Sequence, residues 1–227
     1  MLKALFIATL LVSNVPVYSQ EVDQSQVIAS VEIKRIKLEQ PLLVLPAIPG
    51  NPLDEVAMYV DGLIAIGKKI WTIVDAGRPV INTNGFTPAI SVLPHLEGTD
   101  PKTAFYEMAN WSVPKTVSYR VSYKNGFGQE VVAFNFTVFF QHNGDYNGNG
   151  KYITNLKVQA SQVYAAWGFN FDASSELVGL ANVGSKANPV ASAIVEVSYK
   201  VKGLVNEVRN WQVFYVDGNG EIKLITQ

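Results

Sequence analysis

The chain has 227 residues, of which 48% are hydrophobic and 16% are charged, a length typical of one large domain or two small ones. The composition excludes a disordered chain, because enough apolar side chains are present to form a core. A formal net charge of −1 offers no basic surface for nucleic acid. With no cysteine and two histidines, disulfides and thiolate chemistry are excluded and little is left for a zinc site.

The first nineteen residues follow the three-part pattern of a secretory signal peptide. A positively charged start precedes an apolar run at residues 4–12, which is too short to span a membrane. Val17 and Ser19 occupy the positions that signal peptidase requires to be small or aliphatic. The alternative is a buried first helix, which Pro16 disfavours. We therefore expect cleavage after Ser19 and an exported protein that is periplasmic, cell-surface or secreted.

Residues 20–52 are predicted to form an extended arm and a proline-rich connector. Residues 31–38 begin with apolar–polar alternation, which is typical of a strand or an extended arm. Residues 41–52 contain four prolines and cannot be helical. The remainder, residues 53–227, is predicted as a single domain that combines one helix with antiparallel β-structure.

The helix is predicted over about residues 53–75 and is expected to be buried. Asn51 and Pro52 are favourable at the start of a helix, and Gly77 and Pro79 would end it. Two apolar rows at helical spacing indicate burial on more than one side. The residues of these rows are Leu53, Val56, Val60, Leu63, Gly67, Ile70 and Val74, with Tyr59, Ile66 and Ile73.

From about residue 80 onward the sequence is typical of β-strands. Apolar and polar residues alternate over residues 117–124, 132–140, 191–201 and 211–215. Asn125-Gly126 is a strong hairpin signal. A change of parity near Ser161-Gln162 predicts a bulge within one very long strand. The predicted fold class is therefore mainly β, as an antiparallel β-sandwich or one large curved antiparallel sheet, with one buried N-terminal α-helix.

One loop has part of the pattern of a calcium site. Asp145, Asn147 and Asn149 supply oxygens at alternate positions and Gly150 follows, as at the start of an EF-hand loop. Position twelve of that pattern is Leu156 instead of a glutamate, and the same residue types form ordinary polar turns. These three residues are weak candidates for calcium, and no other cofactor is predicted.

Aromatic side chains concentrate on what the pattern predicts to be two adjacent strands. Such a concentration is expected in a core, in a ligand cavity or on a partner surface. Phe139 alternates out of step with Phe134, Phe136 and Phe140, which predicts apolar side chains on both faces of the sheet. The candidate binding residues are Phe134, Phe136, Phe139, Phe140, Trp167, Phe169 and Phe171.

Four functions are considered from the sequence, and a non-catalytic one is favoured because no recognised catalytic motif occurs. The least favoured is a membrane-inserting β-hairpin toxin, because Lys157, Gln159 and Gln162 interrupt the lipid-facing alternation that it would need. The other three are as follows. The first is an exported β protein that binds a macromolecular partner or takes part in a surface assembly. Its partner would be another envelope or extracellular protein, or a second copy of the chain. Binding to nucleic acid is not predicted, and neither is a transmembrane span in this chain. The alternative is a carrier of a lipid-like ligand between helix and sheet, and the third is a hydrolase of an envelope or extracellular polymer.

Overall fold

The computed structural model describes residues 22–37, 56–79 and 89–225. The predicted signal peptide and the proline-rich part of the connector lie outside the described residues. Within the described ranges, no helix is long and apolar enough to cross a membrane.

Most of the described residues belong to antiparallel strands, which confirms the mainly β fold class. A 3-10 turn at Gln24–Gln26 and a short helix α1 at Pro101–Tyr106 complete the regular structure. The strands are β1 (Ile28–Ile36), β2 (Val56–Val60), β3 (Leu63–Ile66), β4 (Ile70–Asp75), β5 (Arg78–Pro79), β6 (Ile90–Pro94), β7 (Met108–Ala109), β8 (Lys115–Asn125), β9 (Glu130–Tyr146), β10 (Asn149–Ala165), β11 (Asn170–Asn182), β12 (Ala191–Lys202), β13 (Glu207–Asp217) and β14 (Ile222–Leu224).

The strands form two antiparallel sheets. The larger sheet has the order β1-β8-β9-β10-β6-β3-β2, with β7 added beside β9, and the smaller sheet has the order β14-β13-β12-β11-β4-β5. The long hairpin β9–β10 lies at the centre of the larger sheet and the hairpin β11–β12 at the centre of the smaller one. Consecutive strands are therefore mostly neighbours, as expected for antiparallel topologies.

The core lies between the two sheets and is rich in aromatic rings. Phe134 on β9 contacts Phe171 on β11 and Tyr199 on β12, with ring centroids 4.5 and 5.5 Å apart. Phe136 and Tyr119 both contact Phe214 on β13. The alternating residues of β8, β9, β12 and β13 thus supply one apolar face of each sheet, and the two faces pack against each other.

The predicted helix over residues 53–75 is wrong for residues 56–75, the part that the structure describes. That segment forms three strands, β2, β3 and β4. Asp61 and Gly62 both have positive φ in the turn between β2 and β3, a conformation that a helix excludes and a tight hairpin requires. All four residues of β3 are buried, so apolar and polar residues do not alternate along this strand. A continuous apolar run fits helical spacing as well as it fits a strand, which is why the sequence favoured a helix here.

The expected single long strand is also divided differently. The bulge near Ser161-Gln162 is present, since the register shifts between Ser161 and Tyr164 and Gln162 has a φ of 50°. The strand ends at Ala165, however, and the chain then turns and enters the other sheet as β11. Phe169 and Phe171 therefore do not lie on a strand adjacent to Phe134 and Phe136 but on the opposite side of the core.

Candidate functional site

Six of the seven aromatic candidates are buried. Phe134, Phe136, Phe140 and Phe171 are fully enclosed, and Phe169 is buried beneath the loop that leads to β11. Phe139 is buried on the opposite face of β9, where the Lys157 ammonium lies 5.1 Å from its ring centroid. Burial lowers the pKa of Lys157 from its ordinary value. Trp167 differs from all of these, because it is 87% exposed.

Trp167 lies in one of three loops that meet at the same end of the molecule. Each loop connects two neighbouring elements and has at least one large exposed apolar side chain. Phe127 lies between β8 and β9, Trp167 between β10 and β11, and Leu204 and Val205 between β12 and β13. We call Phe127, Trp167, Leu204 and Val205 the loop cluster.

The first loop is held by the side chain of Asn125. Its Oδ1 accepts hydrogen bonds from the backbone N–H groups of Phe127 and Gln129, at 3.1 and 3.0 Å. The hairpin is as predicted, but positive φ occurs at Gly128 and not at Gly126. Phe127 therefore lies in a turn in which the N–H groups of Phe127, Gly128 and Gln129 are all hydrogen-bonded, and its side chain is 66% exposed.

The second loop is a tight turn that backbone hydrogen bonds hold to itself and to β9. The N–H of Phe169 donates to the carbonyl of Ala166 at 3.2 Å, and the N–H of Ala166 donates to the carbonyl of Val131 at 2.7 Å. Gly168 has a φ of 86°, which a side chain would disfavour. Phe169 is anchored in the core and Trp167 is displayed at the tip.

The third loop is attached to the start of β1 by one asparagine. Asn206 Oδ1 accepts from the N–H of Ile28 at 2.8 Å, and Asn206 Nδ2 donates to the carbonyl of Ile28 at 2.9 Å. The N–H of Gly203 donates to the carbonyl of Asn206 at 2.9 Å. These bonds fix the loop while Leu204 stays 71% exposed.

The three loops converge on the 3-10 turn at Gln24–Gln26. The N–H of Gly126 donates to the carbonyl of Gln24 at 2.9 Å. A Cβ at Gly168 would lie 2.7 Å from Gln26 Oε1, and one at Gly203 would lie 2.9 Å from the carbonyl oxygen of Gln26. Glycine is required at Gly203, where the close contact is with a backbone oxygen, and is favoured at Gly168 by its positive φ. The three loops therefore share one neighbour, the turn at Gln24–Gln26.

The loops of this end contain no charged residue. Residues 24–26, 125–129, 166–169 and 203–206 are all uncharged, in a chain that has charged residues in most other connections. The flanking charges are of both signs, so they create no field of one sign. These flanking residues are Asp23, Lys124, Glu130, Lys202 and Glu207.

Sequence reasoning found Trp167 but missed the rest of the loop cluster. Phe127 and Leu204 lie next to glycines in short segments between strands, a pattern that places a large apolar residue where a turn exposes it. That local signal was available from the sequence. The convergence of the loops depends on strand order and could not be inferred from it.

The calcium candidates form a hairpin turn. Asn147 and Gly148 are the turn residues, with positive φ, while Asp145 lies one residue before the end of β9 and Asn149 begins β10. The Asp145 carboxylate accepts from the N–H of Gly148 at 2.8 Å and from Asn110 Nδ2 at 2.5 Å. Among the residues that the structure describes, no group of three or more His, Asp or Glu side chains is placed to hold a metal ion.

A groove of about 720 Å³ crosses the outer face of the smaller sheet. Trp211, which is 58% exposed, lies beside it together with Ser174 and Ser198. Lys200 Nζ is 3.1 Å from Asp172 Oδ2. The N–H of Ala76, which donates to Asp172, and the Lys200 ammonium together lower the pKa of that carboxyl.

A second cavity of about 550 Å³ opens between the two sheets, where β1 and β8 face β13 and β14. Ile33, Val117 and Leu224 form apolar walls, and Arg35 and Lys223 supply cations. Burial raises the pKa of the Tyr119 hydroxyl in this cavity.

Comparison of the chain with protein-family models, with curated proteins and with solved structures found no match.

Proposed function

We propose that the protein is an exported, non-catalytic binding protein that docks through the loop cluster on another component of the cell envelope or extracellular space. The observation that carries this proposal is the convergence of three uncharged loops, each with a large exposed apolar side chain, on one fixed turn. The two facing sheets support a sandwich as the rigid scaffold of these loops. Binding residues are commonly placed on loops held by such a scaffold.

The exposed apolar side chains of the loop cluster have an energetic cost. Full burial of a large apolar side chain would stabilise the folded protein by roughly 1.5–3 kcal/mol, and each exposed side chain lacks this contribution. The turns are held by Asn125, Asn206 and buried Phe169, so the tips cannot fold back into the core. A docking surface explains why apolar tips are presented in this way, because a partner covers them.

Binding of the purified protein to sedimented envelope fragments of the producing cells tests the proposal. We expect Trp167→Ser combined with Leu204→Ser to remove most of the bound fraction. Trp211→Ser is the matched control, since it removes an equally large exposed ring from the sheet face, and it should bind as the unaltered protein does. Equal binding of the loop variant and the unaltered protein would refute the proposal.

The carrier function is a second candidate, supported by the cavity between the two sheets. Its ligand would lie between β1, β8, β13 and β14 instead of between a helix and a sheet. The apolar walls and the two cations suit an amphiphile with an anionic head group. A stoichiometric lipid mass on a strictly monomeric protein, observed by native mass spectrometry, would favour the carrier over the docking protein.

A further inference from the structure

We propose that the component on which the loop cluster docks is a lipid bilayer, and that Phe127, Trp167, Leu204 and Val205 insert into its interfacial region. This inference rests on the docking function proposed above and names the partner. It follows from three properties of the loops: the type of side chain at their tips, the state of their backbone groups and the distribution of charge around them.

The side chains at the tips suit a lipid interface. Tryptophan is favoured at the level of the head groups because its ring is large and amphipathic. Phenylalanine and leucine favour the boundary of the acyl chains, where membrane-surface segments bury their apolar side. The four residues are distributed over three separate turns, and a fluid bilayer accommodates such separate projections without a complementary shape.

Part of the loop backbone is already hydrogen-bonded within the protein. Each turn closes with an internal hydrogen bond: Gly128 to Asn125, Phe169 to Ala166 and Gly203 to Asn206. An unsatisfied backbone group costs several kcal/mol in hydrocarbon, so these bonds lower the cost of partial insertion. The absence of charge in residues 125–129, 166–169 and 203–206 removes the largest remaining penalty.

The charges around the loops predict which bilayer is bound. A polybasic surface binds anionic lipid and is released by salt. Here the flanking residues include Asp23 and Glu207 as well as Lys202, and Arg209 Nε is 2.7 Å from Glu207 Oε1. Binding should therefore depend on apolar insertion, with little preference for anionic lipid.

Vesicle flotation tests the inference directly. The purified protein, with its N-terminus sequenced because a retained apolar leader would itself bind lipid, is floated with phosphatidylcholine vesicles and with vesicles that also contain phosphatidylglycerol. We expect flotation with both, and no loss when the salt concentration rises from roughly 0.1 to 1 M, where the Debye length shortens. Trp167→Ser and Leu204→Ser should each weaken vesicle affinity about tenfold or more, and Trp211→Ser should not.

A second readout does not depend on the loop variants. Brominated lipids quench tryptophans that enter the bilayer, so they should quench the emission of the unaltered protein and of Trp211→Ser. Failure to float, flotation unchanged in Trp167→Ser, or binding that requires anionic lipid at low salt would overturn the inference. If the loop variants lose binding to envelope fragments while no vesicle is bound, the docking function stands and its partner is a protein instead of a bilayer.

Discussion

The ring of Phe134 on β9 lies 4.5 Å from the ring of Phe171 on β11, centroid to centroid, and joins the two sheets through the middle of the core. Both side chains are fully buried. Their positions in the sequence are 37 residues apart, and they meet because the chain leaves the larger sheet after Ala165 and enters the smaller one at Asn170. This contact depends on the exposed turn that displays Trp167.

Replacing Phe134 with alanine should therefore destabilise the protein by about 3–5 kcal/mol, since a large buried side chain is lost and a cavity remains. The matched control is Phe127→Ala, which removes the same side chain from an exposed tip and should change the free energy of unfolding by less than about 0.5 kcal/mol. Equilibrium urea denaturation measures both. Comparable losses in the two variants would contradict the assignment of core and loop.

Two glycines distinguish the observed strands from the predicted helix. In a helix over residues 53–75, Gly62→Ala and Gly67→Ala would each stabilise the protein by roughly 0.5–1 kcal/mol. In the strands both should destabilise it, because Gly62 and Gly67 have φ values of 77° and 125°. Gly67→Ala should cost more, about 1–3 kcal/mol or above, since its Cβ would collide with the carbonyl oxygen of Ala89. Thermal and urea unfolding of the two variants provide the test.

The strand β8 could be predicted from its alternation, and the strand β3 could not. Val117, Val121 and Tyr123 on β8 alternate with polar neighbours because one face of this strand meets the other sheet. The residues of β3 are buried on both faces, so the period-two signal disappears there. Asp61-Gly62 was the available sign of a hairpin, and the apolar rows around it led to the wrong assignment.

The site shows the same division between local and long-range information. The exposure of Trp167 follows from a short turn ahead of Gly168, which the sequence contains. Its position at the same end of the molecule as Phe127 and Leu204 follows from the order of strands and from the contacts of Gln24 and Gln26. Such contacts join residues more than 100 positions apart, and no local pattern specifies them.

His142 should make stability depend on pH. The ring is buried, its Nδ1 has no hydrogen-bond partner within the described residues, and burial with the nearby Lys115 lowers its pKa below the ordinary 6.5. As the pH falls through about 6.5, the unfolded chain gains a proton that the folded protein does not accept, so stability is lost on acidification.

The measurement is the free energy of urea unfolding between pH 8 and pH 5 for the unaltered protein and for His142→Gln. The difference between them should shift in favour of the variant below about pH 6.5 and stay constant above pH 7. His95→Gln controls for the loss of an imidazole. A difference that does not change with pH would remove His142 as the cause.

Calcium should bind weakly at most. The Asp145 carboxylate is the single charged group among the three candidate residues, and its two oxygens already accept from Gly148 and Asn110. Calorimetric titration should give no dissociation constant below about 10⁻⁴ M. Asp145→Asn should slightly lower thermal stability through the turn, equally with and without calcium. Micromolar affinity that Asp145→Asn abolishes would make this loop a functional metal site.

Export should depend on the first nineteen residues. Replacing Leu5 and Leu10 with arginine interrupts the apolar run at residues 4–12, and a run with two charges no longer serves as the apolar region of a signal peptide. We expect this variant to stay in the cytosol of the producing cells with Met1 intact. The unaltered chain should be exported and begin at or near Gln20 when its N-terminus is sequenced, and Thr9→Ser should be exported in the same way. Because the loop cluster can meet an envelope or a bilayer from outside only after export, an intact Met1 on unaltered protein in the cytosol would contradict both the leader and the place of docking.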